Sequence, residues 1–123
     1  MLGSSELIAF VATMDADRAR AFYEDTLGLT LVSDDPFALV FDANGQMLRI
    51  AKVEELTPAR HTVLGWTVSD IVAAATALSA RGVTLLRFGG MGQDELGIWA
   101  SPGGGRIAWF HDPDGNTLSL TEA

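Results

Sequence analysis

The sequence predicts an α+β fold made of two βαβββ modules, whose curved half-sheets stand around a cleft. Three observations lead there. An apolar strand followed by an Asp-capped, Gly-terminated helix occurs twice, with Asp15 and Gly28 in the first copy and Asp70 and Gly82 in the second. Each copy closes on a hairpin turn, Asn44-Gly45 and then Asp114-Gly115. The last arms also match residue by residue, with Gly45-Gln46-Met47-Leu48-Arg49-Ile50 lying over Gly115-Asn116-Thr117-Leu118-Ser119-Leu120. Such repetition of a whole supersecondary unit is hard to obtain by chance. Residues 1–123 read as one domain, with modules at 5–57 and 62–123 and Pro58 to Thr62 as the linker.

In the first module, Leu7 to Thr13 is apolar and partly β-branched, which predicts a strand buried on both faces. Behind the Asp15 cap, Ala19, Phe22, Tyr23 and Leu27 recur at helical spacing over 16–27. Three strands follow, over 29–33, 37–42 and 46–53. In the second module, 63–68 is a strand and 71–80 a helix with Ile71, Ala74, Ala75 and Leu78 on one face. Strands are expected at 83–88, 107–111 and 116–121, with a Gly-rich insertion, Gly89 to Gly105, between the first two of these.

Side chains alternate across a strand, so parity assigns the faces. Leu48, Ile50, Leu118 and Leu120 are expected under the helices with Ala9, Val11, Leu64, Trp66 and Val68. Ile8, Phe10, Ala12, Met47, Arg49, Val63, Gly65, Thr67, Thr117 and Ser119 then face the cleft.

Composition excludes several classes of function. A net charge of −8, with 8 basic residues against 16 acidic, provides no basic face for nucleic acid or anionic membrane. It favours a neutral or cationic ligand over a polyphosphate, although one local Arg can outvote the global field. The absence of Cys removes disulfides, thiolate nucleophiles and zinc knuckles. No apolar run is long enough to span a membrane, and the first residues lack a signal-peptide pattern. A cytoplasmic location is the expectation.

At Ala21-Phe22-Tyr23-Glu24-Asp25-Thr26-Leu27-Gly28-Leu29 and Asp112-Pro113-Asp114-Gly115-Asn116 the chain resembles the vicinal oxygen chelate superfamily. Val68-Ser69-Asp70-Ile71 and Ala80-Arg81-Gly82-Val83 extend the likeness. That superfamily includes glyoxalase I, extradiol dioxygenases and bleomycin resistance proteins, so the resemblance implies the fold far better than a reaction. It also implies a metal ligand on the first and last strand of each unit. The residues here are Ile8, Arg49, Val63 (with Leu64 if the register slips by one) and Ser119, none of them a plausible ligand. No metal and no other cofactor is therefore expected.

Among individual residues, Arg49 on an apolar surface needs a partner. It either clamps a ligand oxygen through its planar fork or pairs with Asp42, Asp94 or Glu95. Phe10, Trp99 and Trp109 are candidates for an aromatic lining, suited to flat or cationic ligands. Ser119 is a polar anchor. Gln93, Asp94 and Glu95 sit in the Gly-rich insertion, read as a flap over the cleft or as a tolerated surface loop. His61 and His111 are the residues from which an unconventional metal or acid–base site would be built with Asp94 or Glu95. The plainer account, a linker histidine and a turn histidine, is preferred.

The expected function is metal-independent binding of an aromatic or cationic small molecule, as in the bleomycin resistance branch that the chain resembles. The alternative is a lyase or isomerase like glyoxalase I, or a dioxygenase-type enzyme, with a relocated metal or acid–base site. The resemblance also implies a homodimer, with modules paired within one chain or between two.

Overall fold

The computed structural model describes residues Met1–Ala123. Its contacts divide the chain into two units, Met1–Thr57 and Pro58–Ala123. Each holds a four-stranded mixed sheet that stays open.

In the first unit the strands are β1 (Ile8–Thr13), β2 (Thr30–Asp34), β3 (Ala38–Ala43) and β4 (Gln46–Lys52), in the order β1-β4-β3-β2. β1 runs parallel to β4, and the remaining pairs are antiparallel. The β3–β4 turn has positive φ at both Asn44 (53°) and Gly45 (84°), the conformation that suits the right-handed twist of its arms. Helix α1 (Ala16–Ala21) starts where the Asp15 carboxylate accepts the Arg18 N–H at 3.2 Å. One feature departs from the expected single helix. From Phe22 to Thr26 the winding loosens to a π turn, with the Leu27 N–H on the Phe22 carbonyl at 2.9 Å. Tyr23 is fully buried there, edge-on to Phe22 at 5.3 Å and 6.0 Å from Phe41. Leu39, Phe41, Leu48 and Ile50 complete the core beneath it. At the edge, β2 is bulged between Leu31 and Ser33, which interrupts the exposed ladder.

In the second unit the strands are β5 (Leu64–Thr67), β6 (Trp99–Ala100), β7 (Arg106–His111) and β8 (Thr117–Glu122), in the order β5-β8-β7-β6. Helix α2 (Ile71–Ala80) is capped by Asp70, which accepts from Ala73 N at 3.0 Å. Its first N–H, on Ile71, donates to Glu122 at 2.8 Å, and Glu122 also accepts from Arg106 at 2.9 Å. One carboxylate thus fastens the helix start to the sheet. Ile71, Ala75 and Leu78 bury their face of α2, and Phe110, Leu118 and Leu120 lie in the core with Trp66 stacked on Phe110.

The expected strand over 83–88 does not form. Only Leu85 bridges to Phe110, and Leu86 N–H bonds the Trp109 carbonyl at 2.8 Å. The left-handed glycines Gly90 and Gly92 then turn the chain away. The sheet edge is taken instead by Trp99 and Ala100, which pair with Ile107 and Arg106. Trp99, expected in a loop, is a strand residue. No helix is long and apolar enough to cross a membrane.

The two registers match. Ile8 pairs with Met47 and Phe10 with Arg49 in the first unit. Val63 N–H bonds the Thr117 carbonyl and Gly65 pairs with Ser119 in the second. Arg49 and Ser119 are therefore equivalent positions, and so are Phe10 and Gly65.

Candidate ligand-binding site

The open face of the second sheet gathers three aromatic residues, Phe88, Trp99 and Trp109. Trp109 and Ser119 are directly paired across β7 and β8, and Gly65 pairs with Ser119 on the other side. Trp99 pairs with Ile107, which lies two residues before Trp109 and points to the same face. The Trp99 and Trp109 rings are 6.0 Å apart and tilted by 36°. Phe88 meets Trp109 edge-on at 5.4 Å. The indole N–H of Trp109 donates to Thr62 Oγ1 at 3.1 Å, which fixes the ring. Three rings with one anchored edge make a continuous aromatic platform.

Ser119 lies low in this platform, at 8% exposure, and no protein group is hydrogen-bonded to its hydroxyl. It owes its room to Gly65, where an added Cβ would stand 2.6 Å from Ser119 Oγ. Thr117, expected on the open face by the same parity, is instead 2% exposed because its hydroxyl is bonded to the Ala59 carbonyl of the linker at 3.1 Å.

The insertion is tied to itself rather than loose. The Gln93 amide donates to the carbonyls of Leu86 and Gly97 at 2.8 Å and accepts from Phe88 N at 2.7 Å. Asp94 accepts from Leu96 N and Ile98 N at 2.9 Å. Arg87 reaches the carbonyls of Asp94 and Glu95. Gln93 and Asp94 thus spend their polar atoms on backbone. That brace sets the position of Phe88, a ring that sequence reasoning placed only at a strand end; its place just before Gly89-Gly90 was the available signal.

His111 ends β7 opposite Thr117. It lines a pocket of about 370 Å³ with Arg60, Arg87, Leu86 and Phe88. His61 is exposed in the linker. The Asp112-Pro113-Asp114-Gly115-Asn116 motif is absorbed by the fold. The buried Asp112 carboxylate accepts from Asp114 N (3.0 Å), Asn116 N (2.9 Å) and Asn116 Nδ2 (2.8 Å).

On the first unit, Phe10 (59% exposed) pairs with Arg49, which in turn pairs with Val40. Arg49 forms no ion pair, with Asp42 or any other acid. It acts only at a distance on Asp35, whose carboxyl is lowered mainly by the N–H groups of Phe37 and Ala38. A groove of about 540 Å³ lies along this sheet between Ile8, Val32, Asp42 and Met47.

Leu64 pairs with Leu118 on the core side, so Val63 is the residue on the open face. The set Ile8, Arg49, Val63 and Ser119 offers two hydrocarbons, a cation and a neutral hydroxyl. Those residues do not fit a divalent ion. Nowhere in the chain do three His, Cys, Asp or Glu side chains converge in a way that would hold one.

These features define a class. The Glyoxalase/Bleomycin resistance protein/Dioxygenase superfamily profile matches residues 7–120, and the chain belongs to that superfamily. Among solved structures, a superfamily member from Sphaerobacter thermophilus DSM 20745 is 25% identical, covering 100% of both chains with a TM-score of 0.77. TnmS3, an antibiotic binding protein from Streptomyces sp. CB03234, is 26% identical over 99% of this chain and 98% of its own, with a TM-score of 0.73. A lactoylglutathione lyase from Agrobacterium tumefaciens shares the fold at 20% identity and a TM-score of 0.75, covering 98% of this chain and 94% of its own. No curated protein matches the chain.

Proposed function

We propose that this protein binds a small organic molecule, flat and aromatic or cationic, on the open face of its second sheet, without a metal. The observation that carries the reading is the Phe88, Trp109 and Trp99 cluster, with ring separations of 5.4 and 6.0 Å, set beside the unengaged Ser119 hydroxyl. Rings stack on such a platform, and cations are drawn to indole faces. The donor set at the family's ligand positions supports metal independence, and the antibiotic binding protein at 26% identity supports a binding role. Phe10 and Arg49, neighbours on the open face of the first unit's own sheet, are proposed as contacts for a ligand lying on that sheet. No observation favours the enzymatic alternative, because the Asp94 carboxylate is bonded to backbone and His61 and His111 join no cluster of acids.

The test is calorimetry with a panel of planar neutral and cationic aromatics against wild type and Trp109→Ala, with and without added Zn²⁺, Ni²⁺ or Mn²⁺. A member of the panel is expected to bind wild type, unaffected by metal and at least about tenfold weaker to the variant, a loss of ~1.4 kcal/mol. Binding that requires metal would overturn metal independence. Equal affinity for the variant would overturn the site.

A symmetric homodimer is proposed as the assembly, because Leu7 (88% exposed), Val32 (63%) and Ile8 (48%) leave apolar surface on the first unit for a second copy to cover. Light scattering should give twice the chain mass of 13.1 kDa. A single-chain mass at micromolar concentration refutes it.

A further inference from the structure

We propose that the natural ligand carries a carboxylate or a similar small anion, held beside the aromatic platform by Arg60, Arg87 and His111. The inference rests on the binding reading above and narrows it to an aromatic anion. The pocket of about 370 Å³ that these residues line contains no acidic residue, although acids outnumber bases two to one in the chain. Two of only eight basic residues and one of two histidines meet there.

The two arginine charges are not neutralised within the protein. Arg60 forms no ion pair. Arg87 bonds only the carbonyl oxygens of Asp94 and Glu95, dipoles that fix the guanidinium without cancelling its charge. By contrast, Arg20, Lys52 and Arg106 each have a carboxylate within 3.7 Å. The imidazole of His111 supplies an N–H donor in either protonation state.

The pocket is also held in shape. Three bonds pin the linker that carries Arg60: Thr117 Oγ1 to the Ala59 carbonyl (3.1 Å), Val63 N to the Thr117 carbonyl (2.9 Å) and Trp109 Nε1 to Thr62 Oγ1 (3.1 Å). A fixed linker backbone and the tethered Arg87 guanidinium reduce the ordering that binding must supply, leaving the Arg60 side chain to close on the ligand. Phe88 connects the two features, since it lines this pocket and touches Trp109. A single small molecule with its ring on the indoles and its anion between Arg60, Arg87 and the His111 N–H satisfies both. Arginine forks recognise carboxylates in two-point fashion, which gives direction as well as affinity.

Two matched probes, indole-3-acetate and its neutral amide, test this by calorimetry at constant ionic strength. Wild type should prefer the carboxylate by about tenfold, and Arg60→Gln should bring the two probes to the same affinity. Arg60 is exposed, so that variant should melt like wild type. Sodium acetate, titrated against sodium chloride with amide chemical shifts as readout, reads the anion subsite alone and should move Arg60, His111 and Thr117 saturably. Equal binding of both indoles with no acetate response overturns the anion inference and leaves the aromatic reading standing. An acetate response without indole binding does the reverse. No response to any of the three probes sinks both.

Discussion

Replacing Asp112 by Ala should unfold the second hairpin's turn and cost stability, leaving the aromatic platform's chemistry unchanged. Asp112 is 5% exposed, and its carboxylate gathers Asp114 N, Asn116 N and Asn116 Nδ2 at 2.8–3.0 Å. Asn116 is equally buried, so two of these donors lose their carboxylate acceptor in a buried setting. Pro58 closes the other side, 3.3 Å from where a Cβ on Gly115 would be. A buried donor left without a partner costs roughly 1–3 kcal/mol, and Asp114 N–H, at a half-buried residue, costs less. Allowing for relaxation of the turn, the total is ~3 kcal/mol, which lowers Tm by roughly 10 °C for a domain of this size.

Asp112→Asn separates the contributions. Its remaining oxygen still accepts the two backbone N–H groups, while its amide opposes Asn116 Nδ2, so about half the loss is expected. Urea unfolding followed by circular dichroism measures both variants, with calorimetry of the best aromatic ligand on the folded protein alongside. A loss below ~1 kcal/mol for Asp112→Ala, accompanied by abolished binding, would refute the argument. The motif would then serve a ligand rather than the fold.

Three further outcomes are expected. Leu118→Ala, at a fully buried position, should cost ~3 kcal/mol in urea unfolding, and Leu48→Ala, its register equivalent at 2% exposure, about the same. Gly65→Ala should weaken aromatic ligands, because its Cβ would come within 2.6 Å of Ser119 Oγ and force the hydroxyl aside; Gly65→Ala with Ser119→Ala should be non-additive in a double-mutant cycle. Glu122 is held below its ordinary value of 4.5, first by the Ile71 N–H and then by Arg106, so its contribution is present above that pH and lost as pH falls through the lowered value. Asp34 behaves likewise below 3.8 through Lys52 and Arg20. Glu122→Gln should therefore flatten the acid side of the Tm–pH curve, and an unchanged curve would contradict the clasp between α2 and β7.

The parts of the fold legible in the sequence are those set by local chemistry. Asp15 and Asp70 both cap their helices because a carboxylate one residue ahead of the first turn accepts its orphan N–H groups. Parity placed Trp109 and Ser119 together on one face and Leu118 and Leu120 on the other. The stretch from Val83 to Phe88 has the β-branched and apolar residues of a strand, yet edge pairing is decided by where the chain goes next, and the glycines beyond it lead away. Two paired residues, Trp99 and Ala100, carry no periodicity to detect. Arg60, Arg87 and Phe88 escaped as candidate site residues for the same reason, being placed by loop hydrogen bonds that no period reports. The Thr117 parity was sound, but the linker covers its face.

The matched registers show how one unit, used twice, has been given two chemistries. In the first sheet the row across β1, β4 and β3 reads Phe10, Arg49, Val40; in the second the row across β5, β8 and β7 reads Gly65, Ser119, Trp109. The first row is bulky at its centre and carries a cation with no ion-pair partner. The second is bare at Gly65, small at Ser119 and tall only at Trp109. Matched registers therefore present a filled surface in one unit and a stepped one in the other, and the step leaves room for the flat ring of the proposed ligand against the indole, with a hydroxyl below it. A divalent ion at Arg49 would meet a like charge on an apolar face, where repulsion is weakly screened. The same guanidinium is suited to an anionic or carbonyl oxygen. Divergence at these few open-face positions, with Leu48 and Leu118 kept alike beneath them, changes what the surface recognises without touching the packing that holds it.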